Sequence, residues 1–471
     1  MMSKRKECLV INGGRPLRGT VRIDGFKNAA LPVLAATLLA KGVFVIDNIP
    51  EISDVEVFLS ILEKFNTDIE RLSENKYRID TTNTSYYRIR EKTARGKCGN
   101  GLRGLAYFAA SSLAAFGKFN IPMPGGDRFG CRPLNLHKDV FEHLGATADF
   151  TNNRFSGSAD KLTGDKLNID IVSVGTTINA LLASCTAQGQ TVIRNAAREP
   201  HVVDLANFLI SMGAEITGAG TKTIKVNGVS KLHGCEYSII PDQIEAGTYM
   251  ALAAAIPNSK ITLTNVIPEH LTSISSKLRE IGALVSWGES SVTVEMKCPP
   301  KCTRVITEVY PSFPTDMQSQ FAALLSVADG ISHIEETVFK NRFNYAEQLK
   351  DFGVDIVVDG NSAEITGVGK LKPNKSCTAT DIRTGAALVI AACMAEGESN
   401  VFGVEHIDRG YVRIEDKLAA LGVDIRREVS TESIIIKKGE LVCSKRLKNL
   451  FQDLLRTKRL SSFWLQLRSP Y

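Results

Sequence analysis

Leu349-Lys350-Asp351-Phe352-Gly353-Val354-Asp355-Ile356-Val357-Val358 is the stretch that decides the fold, because the chain repeats its pattern. A leucine, two mostly polar residues and an apolar residue close a helical turn. Glycine then takes the left-handed position that ends the helix at no Cβ cost, and a β-branched run continues as a strand. The pattern returns at Phe141-Glu142-His143-Leu144-Gly145-Ala146 and Leu209-Ile210-Ser211-Met212-Gly213-Ala214. It recurs at Leu278-Arg279-Glu280-Ile281-Gly282-Ala283 and Leu418-Ala419-Ala420-Leu421-Gly422-Val423. Successive glycines lie 68, 69, 71 and 69 residues apart, so this is one unit repeated and not a scatter of caps. A degenerate copy, Leu62-Glu63-Lys64-Phe65-Asn66-Thr67, has asparagine where the others have glycine.

Between these signatures lie six Ala/Leu-rich helices, expected at 28–39, 104–115, 176–186, 246–255, 317–328 and 385–395. Each is apolar nearly all round, which predicts burial on most faces. Every unit therefore supplies one buried helix, one amphipathic helix and several strands. A period near 70 residues is too long for common solenoids. The expected fold is α/β, with two three-unit domains whose helices pack inside their sheets.

Composition agrees. Of 471 residues 44% are hydrophobic and 23% charged, which excludes disorder over most of the length. No charge-free apolar run of transmembrane length occurs, and Met1–Val10 lacks the apolar core of a signal peptide, so a cytoplasmic protein without stable membrane insertion is expected. The ten cysteines are scattered and read as reduced and mostly buried; Cys298 and Cys302 lack partners for a zinc site, and neither metal nor cofactor is expected. Lys445–Tyr471 carries seven basic residues and one acid, the whole of the net charge of +6, so the body is neutral and no nucleic-acid partner is expected.

The six-unit pattern resembles the enolpyruvyl transferases, and among them the branch that uses a nucleotide sugar, over about residues 8–438. The resemblance implies two inside-out α/β domains, each a pseudo-threefold assembly, with the active site in the cleft between them. It further implies that the first strand, near Cys8–Val21, belongs with the C-terminal half, and that crossovers near 22–25 and 238–242 form the hinge. The expected division is 1–24 with 241–441 as one domain, 25–240 as the other, and 442–471 as a poorly ordered basic tail with a short helix at 446–456.

The residues at the buried helices' starts are Lys27-Asn28, Arg103, Ser173-Val174-Gly175, Asp242 with Glu245, Asp316, and Asp381 with Arg383. Helix N-termini attract anions. An acid there is an ordinary cap, which accounts for much of Asp242 and Asp381. Lys27, Arg103 and Arg383 break the dipole rule at equivalent positions, which points to a bound anion. Arg132, Arg342 and Arg409 follow the second strand of their units. Each alone reads as a surface salt bridge; together they read as guanidinium forks for a phosphate and a carboxylate, the two ends of phosphoenolpyruvate.

The resemblance assigns roles individually. Lys27 and Arg132 match phosphate contacts, Arg342 and Arg409 the carboxylate side, with Asp381 and Arg383 also in the phosphoenolpyruvate set. Arg103 matches a contact to the phosphates of UDP-N-acetylglucosamine. Arg132-Pro133-Leu134-Asn135-Leu136-His137 matches the uridine loop, Ser173-Val174-Gly175 the segment beside the diphosphate, and Val338 another nucleotide-sugar contact. Asn28 and Asp316 match amino-sugar contacts, with Asp316 the base for the 3-hydroxyl and Lys27 and Arg409 joining it among the catalytic groups. Asp127 stands where most relatives have the cysteine that fosfomycin alkylates, so Asp127 is the expected general acid and insensitivity to the drug is expected. Cys131 is read as a packing residue. Milder departures are Ile171 and Gln243 for basic residues and Lys340 for an acid.

Two look-alikes fail. Gly367-Val368-Gly369-Lys370 lacks the glycine and hydroxyl of a phosphate loop, and Gly218-Ala219-Gly220 reads as a hairpin turn. The implied reaction is enolpyruvyl transfer to UDP-N-acetylglucosamine, opening peptidoglycan synthesis. The alternatives are 5-enolpyruvylshikimate-3-phosphate synthase, disfavoured by Arg132–His137 and Asn195–Pro200, and an inactive nucleotide-sugar-binding paralogue.

Overall fold

The computed structural model describes residues 6–94, 102–126, 134–430, 434–437 and 440–443. The repeated caps form as the sequence demands. Asn66, Gly145, Gly213, Gly282, Gly353 and Gly422 all have positive φ, between 64° and 103°. Beyond the glycines the next N–H reaches back to the helix, as from Ala146 to Phe141 O (2.9 Å) and from Ala214 to Leu209 O (2.9 Å). This bond occupies a carbonyl that the helix end leaves open.

The buried helices are Lys27–Ala36, Leu105–Phe116, Val174–Ser184, Gln243–Ala255, Gln318–Leu325 and Ile382–Met394. All 13 residues of Gln243–Ala255 are buried, which is why its sequence shows no polar face. Three helices begin two or three residues before the apolar run, because their caps Ser173, Asp242 and Asp381 set the start. Lys27 and Arg383 therefore lie in the first helical turn and not before it, a correction to the sequence reading. Leu105–Phe116 packs against Lys27–Ala36 and Val174–Ser184, while Gln243–Ala255, Gln318–Leu325 and Ile382–Met394 pack on one another.

Six small sheets surround these helices. Three take all their described strands from between Val43 and Ser238, and three from Lys6–Arg22 and Ser259–Ser430. In five of them a central strand pairs parallel on one side and antiparallel on the other, as Ile331–Glu336 does with Arg304–Thr307 and Ser362–Thr366. Strands such as Thr223–Asn227 alternate exposed and buried residues, so one face of the sheet meets water. The Gly218-Ala219-Gly220 turn joins the antiparallel strands Glu215–Thr217 and Thr223–Asn227.

Strand exchange ties the two sets together. Arg18–Arg22 precedes the helix Lys27–Ala36 yet pairs with Ser259–Thr264, while Glu236–Ser238 precedes the helix Gln243–Ala255 yet pairs with Val43–Asp47. The crossing segments lie side by side: Gly25 bridges Pro241, Phe26 N donates to Ile240 O (2.7 Å), and Asp242 N donates to Asp24 O (2.8 Å). Half-buried beside them, Lys417 binds Asp24 (2.6 Å) and the buried Glu245, whose Oε2 accepts from Asp24 N (2.9 Å). Burial pushes the Glu245 pKa up, and Lys417 opposes that rise. Lys6–Gly13 inserts between Gly397–Phe402 and Asp424–Ser430, closing the last sheet with the chain's first strand. The described strand of that sheet runs to Ser430, and Ile434–Lys437 pairs with Glu440–Cys443 as a separate hairpin. Of the tail expected at 442–471, Val442 and Cys443 belong to this hairpin, and the remainder lies outside the described residues. Among the described residues no helix is long and apolar enough to cross a membrane.

A second repeated feature was not read from the sequence. A Cβ on Gly228 would sit 1.6 Å from Ala187 O, on Gly367 1.6 Å from Ala328 O, and on Gly13 2.2 Å from Ala392 O. Each glycine lets a strand end press against the carbonyl end of a buried helix. The look-alike phosphate loop at Gly367 is thus a packing device. Gly367→Ala is expected to cost roughly 1–3 kcal/mol or more by overpacking, measured as a lower thermal midpoint. An unchanged midpoint would mean that the backbone yields there.

Candidate active site

Two buried or half-buried carboxylates each hold a pair of cations. The first is Asp54, in the first turn of the helix Ser53–Lys64. Its Oδ2 lies 2.5 Å from Lys27 Nζ, and its Oδ1 accepts from Arg409 Nε at 3.0 Å. The Asp54 and Arg409 side chains are 3% and 8% exposed, so water does little to screen the group. Burial would push the Asp54 pKa up, but Lys27 and Arg409 outweigh it and hold the carboxyl below its usual range. Lys27 is placed by its helix start, where the Phe26 N–H donates to the crossing segment. Arg409 comes from the far end of the chain, and its neighbour Asp408 accepts from Ser53 N at 3.1 Å. The two strand sets therefore meet at this carboxylate.

The second is Asp316, in the short turn Thr315–Met317. Its Oδ1 lies 2.5 Å from an Arg342 terminal nitrogen and its Oδ2 lies 2.7 Å from one of Arg383. Desolvation would raise its pKa, yet Arg383 and Arg342 hold it far below the carboxylate range. Arg342 also donates to Thr315 Oγ1 (2.5 Å) and lies over the Phe339 ring, 5.1 Å from its centre. The expected cluster of forks is thus split: Arg342 joins Arg383 on Asp316, and Arg409 joins Lys27 on Asp54.

The helix caps behave as the bland reading had it. Asp381 accepts from Arg383 N and Thr384 N (2.9 Å each) and from Thr384 Oγ1 (2.7 Å). Asp242 accepts from Ile244 N (2.7 Å) and Glu245 N (3.1 Å), and burial, eased by Arg383, pushes its pKa to about 6. Ser173 Oγ accepts from Thr176 N at 3.3 Å at the start of Val174–Ser184.

The expected nucleotide loop enters the helix Asn135–His143 with Leu134 as its cap, so Asn135, Leu136 and His137 form its first turn. His137 is buried, shares a hydrogen with Asn179 through Nδ1 (2.8 Å), and packs so closely on Gly175 that a Cβ there would sit 3.2 Å from its ring. Leu134–His137 and Ser173–Gly175 are therefore one surface. Arg103 precedes the helix Leu105–Phe116, Asn28 follows Lys27 in its helix, and Val338 lies half-buried beyond the strand Ile331–Glu336. Asp127, Arg132 and Pro133 lie outside the described residues, as does Cys131. Ile171 and Lys340 are exposed, whereas Gln243 is buried in its helix.

Asp54 escaped the sequence reading because an acid in a helix's first turn is commonplace. So did His201, which sets its ring edge against Phe26 at 5.1 Å; burial pushes its pKa down to about 4, and the charge of Asp316 is near enough to oppose that shift.

With this geometry in place, the comparisons are direct. Residues 11–418 match the family described as EPSP synthase (3-phosphoshikimate 1-carboxyvinyltransferase). The enolpyruvyl transferase NikO from Streptomyces tendae has the same fold, with a TM-score of 0.80 at 24% identity over 90% of this chain and all of that one. The chain belongs to this family of enolpyruvyl transferases. Among its curated relatives is UDP-N-acetylglucosamine 1-carboxyvinyltransferase 3 of Caldanaerobacter subterraneus subsp. tengcongensis, 48% identical over 89% of this chain and 99% of the relative. UDP-N-acetylglucosamine 1-carboxyvinyltransferase 2 of Clostridium acetobutylicum is 47% identical over 89% and 99%.

Removing one member of a buried ion group leaves the others desolvated without compensation. Asp54→Asn is expected to cost about 3–5 kcal/mol of stability, measured by urea unfolding. Adding Lys27→Met to that variant should recover part of the loss, and no recovery would count against a shared carboxylate.

Proposed function

We propose that the protein transfers the enolpyruvyl group of phosphoenolpyruvate to the 3-hydroxyl of UDP-N-acetylglucosamine, releasing phosphate, in the first committed step of peptidoglycan synthesis. The observation that carries this reading is the pairing of Lys27 with Arg409 and of Arg342 with Arg383 on two carboxylates, within a chain nearly half identical to enzymes named for that reaction. In this reading residues 1–24 and 241–441 form one inside-out α/β domain and 25–240 the other, each a pseudo-threefold assembly, with the reaction in the cleft between them. A nucleotide-sugar acceptor places the work in the cytoplasm.

Lys27 and Arg132 take the phosphate, while Arg342, Arg383 and Arg409 take the carboxylate side, with Asp381 holding the helix start that carries Arg383. Arg103, Asn28, Pro133, Leu134–His137, Ser173–Gly175 and Val338 seat the nucleotide sugar. Asp127 protonates the methylene carbon, making C2 electrophilic. Asp316 accepts the proton of the attacking hydroxyl, and a tetrahedral ketal phosphate forms. Loss of a methyl proton and of phosphate then gives the enol ether.

Asp316 is a poor base while both arginines hold it, since opposite charges stabilise its ionised form. An arriving phosphoenolpyruvate competes for the same forks. As Arg342 and Arg383 turn to the substrate, Asp316 regains basicity beside the hydroxyl it must deprotonate. Substrate binding thus prepares the base.

Phosphate release from phosphoenolpyruvate is expected with UDP-N-acetylglucosamine and not with shikimate 3-phosphate; the opposite preference would overturn the acceptor assignment. Lys27→Ala and Arg409→Ala should each cut kcat/KM by roughly 30- to 5,000-fold, the loss of about 2–5 kcal/mol for a desolvated charged contact. A loss under about threefold would remove that residue from the site.

A carboxylate attacks an epoxide far more weakly than a thiolate. The protein is therefore expected to resist fosfomycin, and Asp127→Cys should make it sensitive. Time-dependent inactivation of the unaltered protein, with the adduct mapped to Cys131, would show that another thiol serves instead.

A further inference from the structure

We propose that Glu336 is a positioning residue that sets Arg342 for the carboxylate of phosphoenolpyruvate, an inference that rests on the function proposed above. Glu336 ends the strand Ile331–Glu336 and is 1% exposed. Its Oε2 accepts from Thr315 Oγ1 at 2.8 Å and from Gln318 Nε2 at 3.0 Å. Its Oε1 accepts from the N–H groups of Val338 and Phe339, both at 2.9 Å. One buried carboxylate thereby joins the turn that carries Asp316 to the loop that carries Val338 and Arg342.

The contacts of Arg342 lead back to it by two routes. Thr315 donates its hydroxyl hydrogen to Glu336, which leaves its oxygen lone pairs for Arg342 (2.5 Å) and makes it a better acceptor. The Phe339 amide is pinned to Glu336, and the Phe339 ring lies beneath the Arg342 guanidinium. A neighbouring acid would do neither: Glu335 points outward to Arg304 at 2.7 Å. Glu336 touches no substrate in this arrangement. It fixes the plane of the fork whose other terminal nitrogen is held by Asp316, so the fork is aligned before the substrate carboxylate takes that nitrogen over.

The two oxygens of Glu336 hold different donors, which makes the Thr315 route separable from plain stability. In Glu336→Gln the amide oxygen can still accept from Val338 and Phe339, but its NH2 cannot accept from Thr315. Calorimetric titration in the presence of UDP-N-acetylglucosamine, with turnover blocked by Asp127→Asn in both proteins compared, is expected to show phosphoenolpyruvate binding weakened by about 10- to 150-fold, the scale of one lost hydrogen bond at a charged group. UDP-N-acetylglucosamine affinity should stay within about twofold. Thr315→Ala should give the same split, and the double variant little more than either, because both changes break one relay. If Glu336→Gln does not fold, Thr315→Ala alone carries the test. Equal weakening of both ligands, or a lower thermal midpoint with both affinities kept, would overturn the inference. Phosphoenolpyruvate binding with this split but no turnover by the unaltered protein would leave the inference standing and sink the proposed reaction. An unaltered protein that binds no phosphoenolpyruvate would sink both.

Discussion

A carboxylate shut away from water beside an ammonium and a guanidinium is stable only while all three are present. Asp54, Lys27 and Arg409 form such a group, and they come from three different places in the chain. Lys27 depends on the crossing segment before its helix, Asp54 on the first turn of the next helix, and Arg409 on the loop that follows the strand Gly397–Phe402. The exchanged strands bring these three together, and the Lys417–Asp24–Glu245 group braces the crossing segments. Charge pairing and topology therefore meet at one carboxylate, which joins residues from both strand sets.

The same principle orders the second group. Asp316 bridges Arg342 and Arg383, and Glu336 keeps Arg342 in plane. Cationic groups collected for an anionic substrate repel one another, and each carboxylate holds its pair in place against that repulsion. In the proposed reaction, the charges of phosphoenolpyruvate take over that compensation. The proposed base is released by the event that supplies its substrate.

The fold was legible wherever local chemistry repeats. Five glycine caps 68 to 71 residues apart, with an asparagine cap ahead of them, announce six units, because only glycine or asparagine sits there without strain, and all six have positive φ. The buried helices were legible from their lack of a polar face. Their starts were not, since Ala and Leu mark burial and the caps Ser173, Asp242 and Asp381 mark the helix. Strand exchange leaves no local trace: Arg18–Arg22 finds its partner some 240 residues away, and only the family resemblance implied it. In the site, cations stood out because lysine and arginine oppose a helix dipole. Asp54 and Glu336 did not, because acids in a first turn or at a strand end are ordinary until their partners are known. Gly228 and Gly367 were equally silent, being explained only by the helix carbonyls that approach them.

In the proposed reaction, grip on both ends of phosphoenolpyruvate confines the chemistry to C2, between a phosphate taken by Lys27 and a carboxylate taken by Arg342. The most direct test of that claim places a heavy-oxygen label in the bridging oxygen of phosphoenolpyruvate and follows it by mass spectrometry after turnover with UDP-N-acetylglucosamine. Addition at C2 followed by elimination breaks the carbon–oxygen bond, so the label should leave with the released phosphate. Label retained in pyruvate or in the nucleotide-sugar product would mean that the phosphorus–oxygen bond breaks, and the account of the two carboxylate-held cation pairs as an enolpyruvyl transfer site would be wrong.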